Sequence, residues 1–219
     1  LNRRLYSIMT FMDKSINVYP LHKIMVQTDW GIPTSFNDAS NLICEKGTSK
    51  PLRLWVVGEV TNQFWFNEEG YPARRVALSI QPLSSDMAEL GKRMLHGTAM
   101  PRNSSDAFGP DQIRATRWMT RRGQRGQAST TTEFAEYYDA REYLKDKSVL
   151  EKLSVEQIVE HDLVLLEMQL GRYNADRAAE PKNRKRAMNS WQTFFDLQAV
   201  YLIKNAPGQL HYSAVLTGY

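Results

Sequence analysis

Residues 52–81 constrain the fold most tightly. Arg74-Arg75-Val76-Ala77-Leu78-Ser79-Ile80-Gln81 alternates cleanly and puts Val76, Leu78 and Ile80 on one face of an extended strand. An apolar run over 52–60 precedes it, bounded by Pro51 and Gly58. Between them lies Asn67-Glu68-Glu69-Gly70-Tyr71-Pro72, rich in turn-forming residues, so the two runs read as the arms of a hairpin. Lys23-Ile24-Met25-Val26 is a further short strand candidate. Trp55, Phe64, Trp65 and Phe66 lie on or near the hairpin. They could stack nucleic-acid bases, but closing the sheet against helices is the expected use of such rings.

Downstream the apolar spacing changes to a helical one. Residues 86–96 carry Met87, Leu90, Met94 and Leu95 and stop at Gly97. Pro110 suits the first turn of a second helix ending before Gly123. A third is expected over 133–147, with Phe134, Tyr137, Tyr138 and Leu144 as a partial stripe. Ser154-Val155-Glu156-Gln157 has capping-box spacing and Gly171 would end the helix it opens. That helix would be apolar around much of its circumference, hence central. A last one is expected over 183–204, presenting Ala187, Trp191, Phe194, Phe195 and Leu202. Strands first and helices after imply an α+β fold: an N-terminal β-hairpin or small antiparallel sheet followed by a predominantly helical C-terminal half. Residues 1–50 read as an arm or strand region. Residues 51–219 read as the core, with a basic segment over 92–127 and a helical region over 130–205.

The charge pattern carries the functional signal. Over 92–125 eight basic residues stand against two acids, a net of +6, although the whole 219-residue chain carries only +4. Any polyanion site is therefore local. Arg114, Arg117 and Arg121 sit at helical i, i+3, i+7 spacing, with Arg122 beside them and Arg125 in a Gly/Gln loop; Arg102 precedes them. Guanidinium groups bind phosphate bidentately and stay charged, and each neutralised phosphate releases counterions, so such a cluster gives affinity without base reading. Lys182-Asn183-Arg184-Lys185-Arg186 forms a second cluster. The candidate nucleic-acid-binding residues are Arg102, Arg114, Arg117, Arg121, Arg122, Arg125, Lys182, Arg184, Lys185 and Arg186. Against them, 133–167 holds ten acids and four bases, a net of −6. That region could pair with the arginines within one subunit or between copies.

No phosphate-loop, dinucleotide, hydrolase or zinc signature is present, so no catalytic residue, metal or cofactor is assigned. Cys44 is the only cysteine, which excludes an internal disulfide and suits a buried, inert thiol. His22, His96, His161 and His211 are dispersed. No apolar run approaches the roughly 20 residues of a membrane span. The start, Leu1-Asn2-Arg3-Arg4, has neither an initiator Met nor a signal-peptide core, which reads as a fragment or processed product in an intracellular or virion setting, not a secreted one. The expectation is a non-enzymatic, coat-protein or nucleoprotein-like molecule that grips nucleic acid, RNA ahead of DNA, and self-assembles as a homo-oligomer or larger assembly. The alternative is an interaction subunit whose arginines meet acidic protein surfaces.

Overall fold

The computed structural model describes residues 1–24, 28–35, 38–99, 111–121, 130–174 and 191–208. The 52–81 segment forms the expected pair of strands, β4 (Arg53–Phe66) and β5 (Pro72–Pro82), joined by the 67–71 turn, where Gly70 takes a φ of 81°. The 86–96 pattern forms α2 (Ser85–Thr98), which buries Ala88, Gly91 and Leu95. The only other α-helix among the described residues is α1 (Asn2–Thr10). Neither is long and apolar enough to cross a membrane.

The helical C-terminal half is not there. The 110–123 segment forms β6 (Ile113–Trp118) and the first strand of a small ribbon, β7 (Thr120–Arg121) with β8 (Thr130–Thr131). Residues 133–162 are mostly irregular, with one short strand, β9 (Tyr137–Asp139). The two long helices expected beyond them are the strands β10 (Leu163–Asn174) and β11 (Trp191–Lys204). The fold is a mostly β one rather than α+β.

The physical reasons are visible residue by residue. In β10, Val164, Leu166, Met168 and Leu170 face a barrel interior, whereas Leu165 faces an outer layer of packed side chains. A strand buried on both faces reads as apolar all round, and periodicity cannot separate it from a buried helix. In β11 a bulge at the Glu167/Met168 step of its pairing lets Leu197 and Val200 both face inward, which imitates an i, i+3 stripe. The capping box is real, since Ser154 N–H donates to Gln157 Oε1 at 2.8 Å, but it closes only a single 3-10 turn, Val155–Gln157.

The pairings run β4–β10–β11–β6–β5 and return to β4, so five strands close on themselves. All contacts are antiparallel except β11–β6, which is parallel and registers only Phe195 with Ala115 and Asp196 with Thr116. A five-stranded Greek-key barrel, narrowly joined at one seam, is the architecture of the OB-fold. Apolar side chains of all five strands fill it, among them Val60, Ile80, Ala115, Leu166 and Leu202. At one end α2 packs against the barrel, with Gly91 so near Ile113 that an added Cβ would meet it at 3.2 Å.

The N-terminal residues wrap this barrel. The strand β1 (Val18–Pro20) pairs with the start of β4, a 3-10 turn follows at Leu21–Lys23, and β2 (Thr28–Trp30) pairs with β3 (Ile43–Glu45). Cys44 is fully buried in β3, and burial pushes its thiol pKa up. α1 and residues 138–150 lie on the outer face of β4, β10 and β11, where Ile8, Tyr138 and Ala140 pack on Val57, Leu165, Ala199 and Tyr201. One outer side of the barrel is therefore covered. Among the described residues, the outer side formed by β5, β6 and the second half of β4 carries no such layer.

Candidate nucleic-acid interface

Antiparallel register decides which side chains share the open face. Arg75 stands opposite Trp118, Ala77 opposite Thr116, and Ser79 opposite Arg114; Phe64 and Asn62 flank them from β4. Ala77, Ser79 and Thr116 make a floor of small, nearly buried residues. Around it rise the large groups: Phe64 is 47% exposed, Trp118 63%, and Arg75 and Arg114 are exposed. Arg75 donates from Nη2 to Thr116 Oγ1 at 3.0 Å, which holds its guanidinium 5.5 Å from the centre of the Trp118 ring. Arg114 has no side-chain partner among the described residues. The strands β5 and β6 together carry four arginines and no acid.

The face extends in both directions. At the turn end, Asn67, Tyr71, Pro72, Arg74 and Thr131 line a cavity of about 540 Å³, and Tyr71 is 65% exposed. At the other end Phe194 lies one step before the Phe195–Ala115 pair, level with Arg114, and Tyr173 stacks obliquely on it at 5.8 Å. The adjacent Arg172 is sandwiched between Trp30 and Trp191, 4.1 and 4.5 Å from the two rings, and donates from Nε and Nη2 to the Ser40 carbonyl. This clamp ties the β2–β3 pair to the end of the β10–β11 pair next to its connecting link.

The arginines singled out in the sequence have separate fates. A strand has a period of two, so Arg114 and Arg117, three apart, fall on opposite faces instead of one helical stripe. Arg114 joins the open face. Arg117 turns back, donating from Nη1 to the Leu197 carbonyl at 2.9 Å and lying 3.8 Å from Asp196. It thereby satisfies β11 where that strand passes from β6 to β9. Burial pushes the Asp196 carboxyl above its usual range, and Arg117 and Gln198 pull it back. Arg121 lies in β7 opposite Thr130. Arg102, Arg122, Arg125, Lys182, Arg184, Lys185 and Arg186 lie outside the described residues. By connectivity, Arg122 and Arg125 belong to the link between β7 and β8, and the 182–186 cluster to the link between β10 and β11.

Three of the ten acids of 133–167 find cations close by. Glu136 pairs with Lys152, Asp139 with Arg141, and Glu167 with Lys147 and Arg53. The aromatic cluster near the hairpin is divided: Trp65 is core, stacked on Phe134, Trp55 packs under Phe11 on the covered side, and Phe64 alone reaches the open face. Arg75 and Trp118 were not among the expected site residues. The signal for them was the Arg-Arg pair opening an alternating strand, and a Trp in a segment without acids. Among the described residues no three His, Cys, Asp or Glu side chains gather as a metal site.

No family model and no curated protein matches the chain. Among solved structures it is similar to the crystal structure of gp2.5, a single-stranded DNA binding protein encoded by bacteriophage T7. The identity is 9%, the match covers 77% of this chain and 98% of that one, and the TM-score is 0.42. A likeness at that level fixes neither fold nor function; the barrel assignment rests on the strand pairings.

Proposed function

We propose that the protein is a non-enzymatic binder of single-stranded nucleic acid, which it holds along the outer face of β5 and β6. The observation that carries this reading is the Arg75–Trp118 pair, exposed beside Arg114 on two strands, β5 and β6, that carry no acid. Guanidinium groups there neutralise phosphates, and the flat surfaces of Trp118 and Phe64 accept stacked bases of any identity. In OB-folds this strand face and the loops after the first and fourth barrel strands are the usual oligonucleotide surface. In this chain those two links are the 67–71 turn and residues 175–190, the second of which contains Lys182, Arg184, Lys185 and Arg186. A duplex hides its bases from an aromatic shelf, so preference for a single strand follows. The chemistry is common to DNA and RNA.

The test is fluorescence anisotropy with a labelled oligonucleotide, single-stranded and then annealed to its complement. The triple variant Arg75→Ala, Arg114→Ala, Trp118→Ala is compared with the parent at one salt concentration. Loss of stacking alone is worth about 1–3 kcal/mol per base, so the variant should bind at least about tenfold more weakly. A variant that binds as well as the parent removes this face from consideration. Equal binding of single strand and duplex would remove the stacking.

A further inference from the structure

Exposed apolar side chains gather at a second place, across the barrel from β5 and β6. Tyr6, Phe11, Met12, Ile16, Tyr143 and Val149 are between 40% and 71% exposed, and all lie in α1, the turn after it or the 143–149 stretch. Phe11, Ile16 and Tyr143 line a groove of about 610 Å³ between α1 and residues 142–147, with Trp55 and Tyr201 among its walls. Phe11 is stacked on Trp55 at 5.1 Å, so that wall is already formed. The acid at its base, Glu167, is taken up by Trp55, Tyr201 and Lys147, so the floor is neutralised, while Arg4, Glu142, Lys145 and Asp146 stand among the lining beside Ile8, Phe11, Ile16 and Leu144. Exposed apolar side chains at a preformed groove with a polar, charged rim are the mark of a protein contact.

We infer that this face joins two copies of the chain about a two-fold axis, Tyr143 of each copy entering the groove of the other. Two features select a second copy. The first is position: Tyr143 projects from the rim of the groove it helps line. Across a two-fold axis at that rim, a projecting side chain meets the equivalent groove, as a self-complementary contact requires. The second is charge. The α1 side of the rim, residues 1–16, has Arg3 and Lys14 against one acid, Asp13, besides Arg4, which donates inward to the Ala140 and Arg141 carbonyls. The opposite rim, residues 142–151, has Glu142, Asp146 and Glu151 against Lys145 and Lys147, and Lys147 is drawn inward to Glu167 at 2.9 Å. A two-fold axis lays the basic rim of one copy on the acidic rim of the other. Nucleic acid has no use for so mixed a rim, and a small ligand would leave Tyr6 and Val149 in water.

Such a dimer leaves both β5–β6 faces free, so two single-strand sites would act together with a gain in avidity. The contact itself does not depend on the nucleic-acid reading. Sedimentation of the full chain over a wide micromolar range tests it, with Tyr143→Glu and Tyr6→Glu as variants and Phe64→Glu as a control on the other side. These side chains are exposed, so circular dichroism should match the parent in all three. The expected result is twice the chain mass for the parent and for Phe64→Glu, with dissociation constants raised about thirtyfold or more by Tyr143→Glu, as for a buried anchor. A single-chain mass throughout overturns the inference and gives the groove to another protein. A dimer indifferent to Tyr143→Glu, or masses climbing past two chains, overturns the two-fold contact equally.

Discussion

Replacing Glu167 by Gln measures what holds the covered side of the barrel together. The carboxylate is 2% exposed and stands on β10, where it takes four neighbours. Its Oε2 accepts from Trp55 Nε1 at 3.1 Å and from the Tyr201 hydroxyl at 3.2 Å. Its Oε1 accepts from Lys147 Nζ at 2.9 Å, with Arg53 Nη1 at 3.7 Å. Glutamine keeps one oxygen. Turned toward Trp55 and Tyr201, it preserves the two neutral bonds and presents an NH₂ to the two cations. The opposite orientation strands the Trp55 N–H, which can only donate. The first orientation is the cheaper, because Lys147 and Arg53 are about a third exposed and can turn to water.

The loss is then one charge-assisted bond, discounted for partial exposure to about 1–2 kcal/mol, plus up to about 1 kcal/mol for the weaker Arg53 contact. A total near 2 kcal/mol lowers the melting temperature of a chain this size by about 4–8 °C. Glu167→Ala removes the acceptor for Trp55 and Tyr201 as well and should cost about 3–5 kcal/mol. Urea unfolding of parent, Gln and Ala variants reads both steps. A Gln variant within about 0.5 kcal/mol of the parent would mean the cations contribute nothing. A Gln variant as damaged as Ala would mean the neutral half contributes nothing.

Two further changes act elsewhere. Tyr137 is 1% exposed and its hydroxyl has no partner among the described residues, and burial pushes its pKa far up. Tyr137→Phe removes that orphan while keeping the ring contacts with Trp65 and Phe134, so urea unfolding should show a gain of about 1 kcal/mol; a loss would mean that the hydroxyl is bonded after all. His161, a non-glycine residue at φ 70°, lies 2.7 Å from Glu59, and that hydrogen bond raises its pKa. The stabilisation is full below the unfolded histidine value and fades as pH rises through the folded one. An NMR titration should place the His161 midpoint above 6.5 and return it toward 6.5 in Glu59→Gln; equal midpoints would exclude the bond.

Local signals in the sequence survive folding where one residue decides them. The 67–71 turn needs its Gly70, and α2 declares itself because only one of its faces is apolar. The strands β10 and β11 are illegible for the opposite reason. They are covered by barrel on one side and by α1 and Tyr138 on the other, so their alternation is erased. The arginines were visible as composition, but their arrangement depends on period. Arg114 and Arg117 share a face on a helix and part on a strand. Arg75, forty residues away in sequence, reaches Thr116 and Trp118 only through the β5–β6 register, which no local pattern encodes.

The central claim, that the open β5–β6 face stacks and neutralises a single strand, is tested most directly through Trp118. The protein is titrated with a single-stranded oligonucleotide while tryptophan emission is followed, in the parent and in Trp118→Phe, at several salt concentrations. The account predicts quenching that is largely lost in Trp118→Phe. It also predicts an affinity that falls linearly on logarithmic axes with salt, by about 0.7 per phosphate neutralised. Quenching unchanged in the variant, or an affinity indifferent to salt, would contradict it.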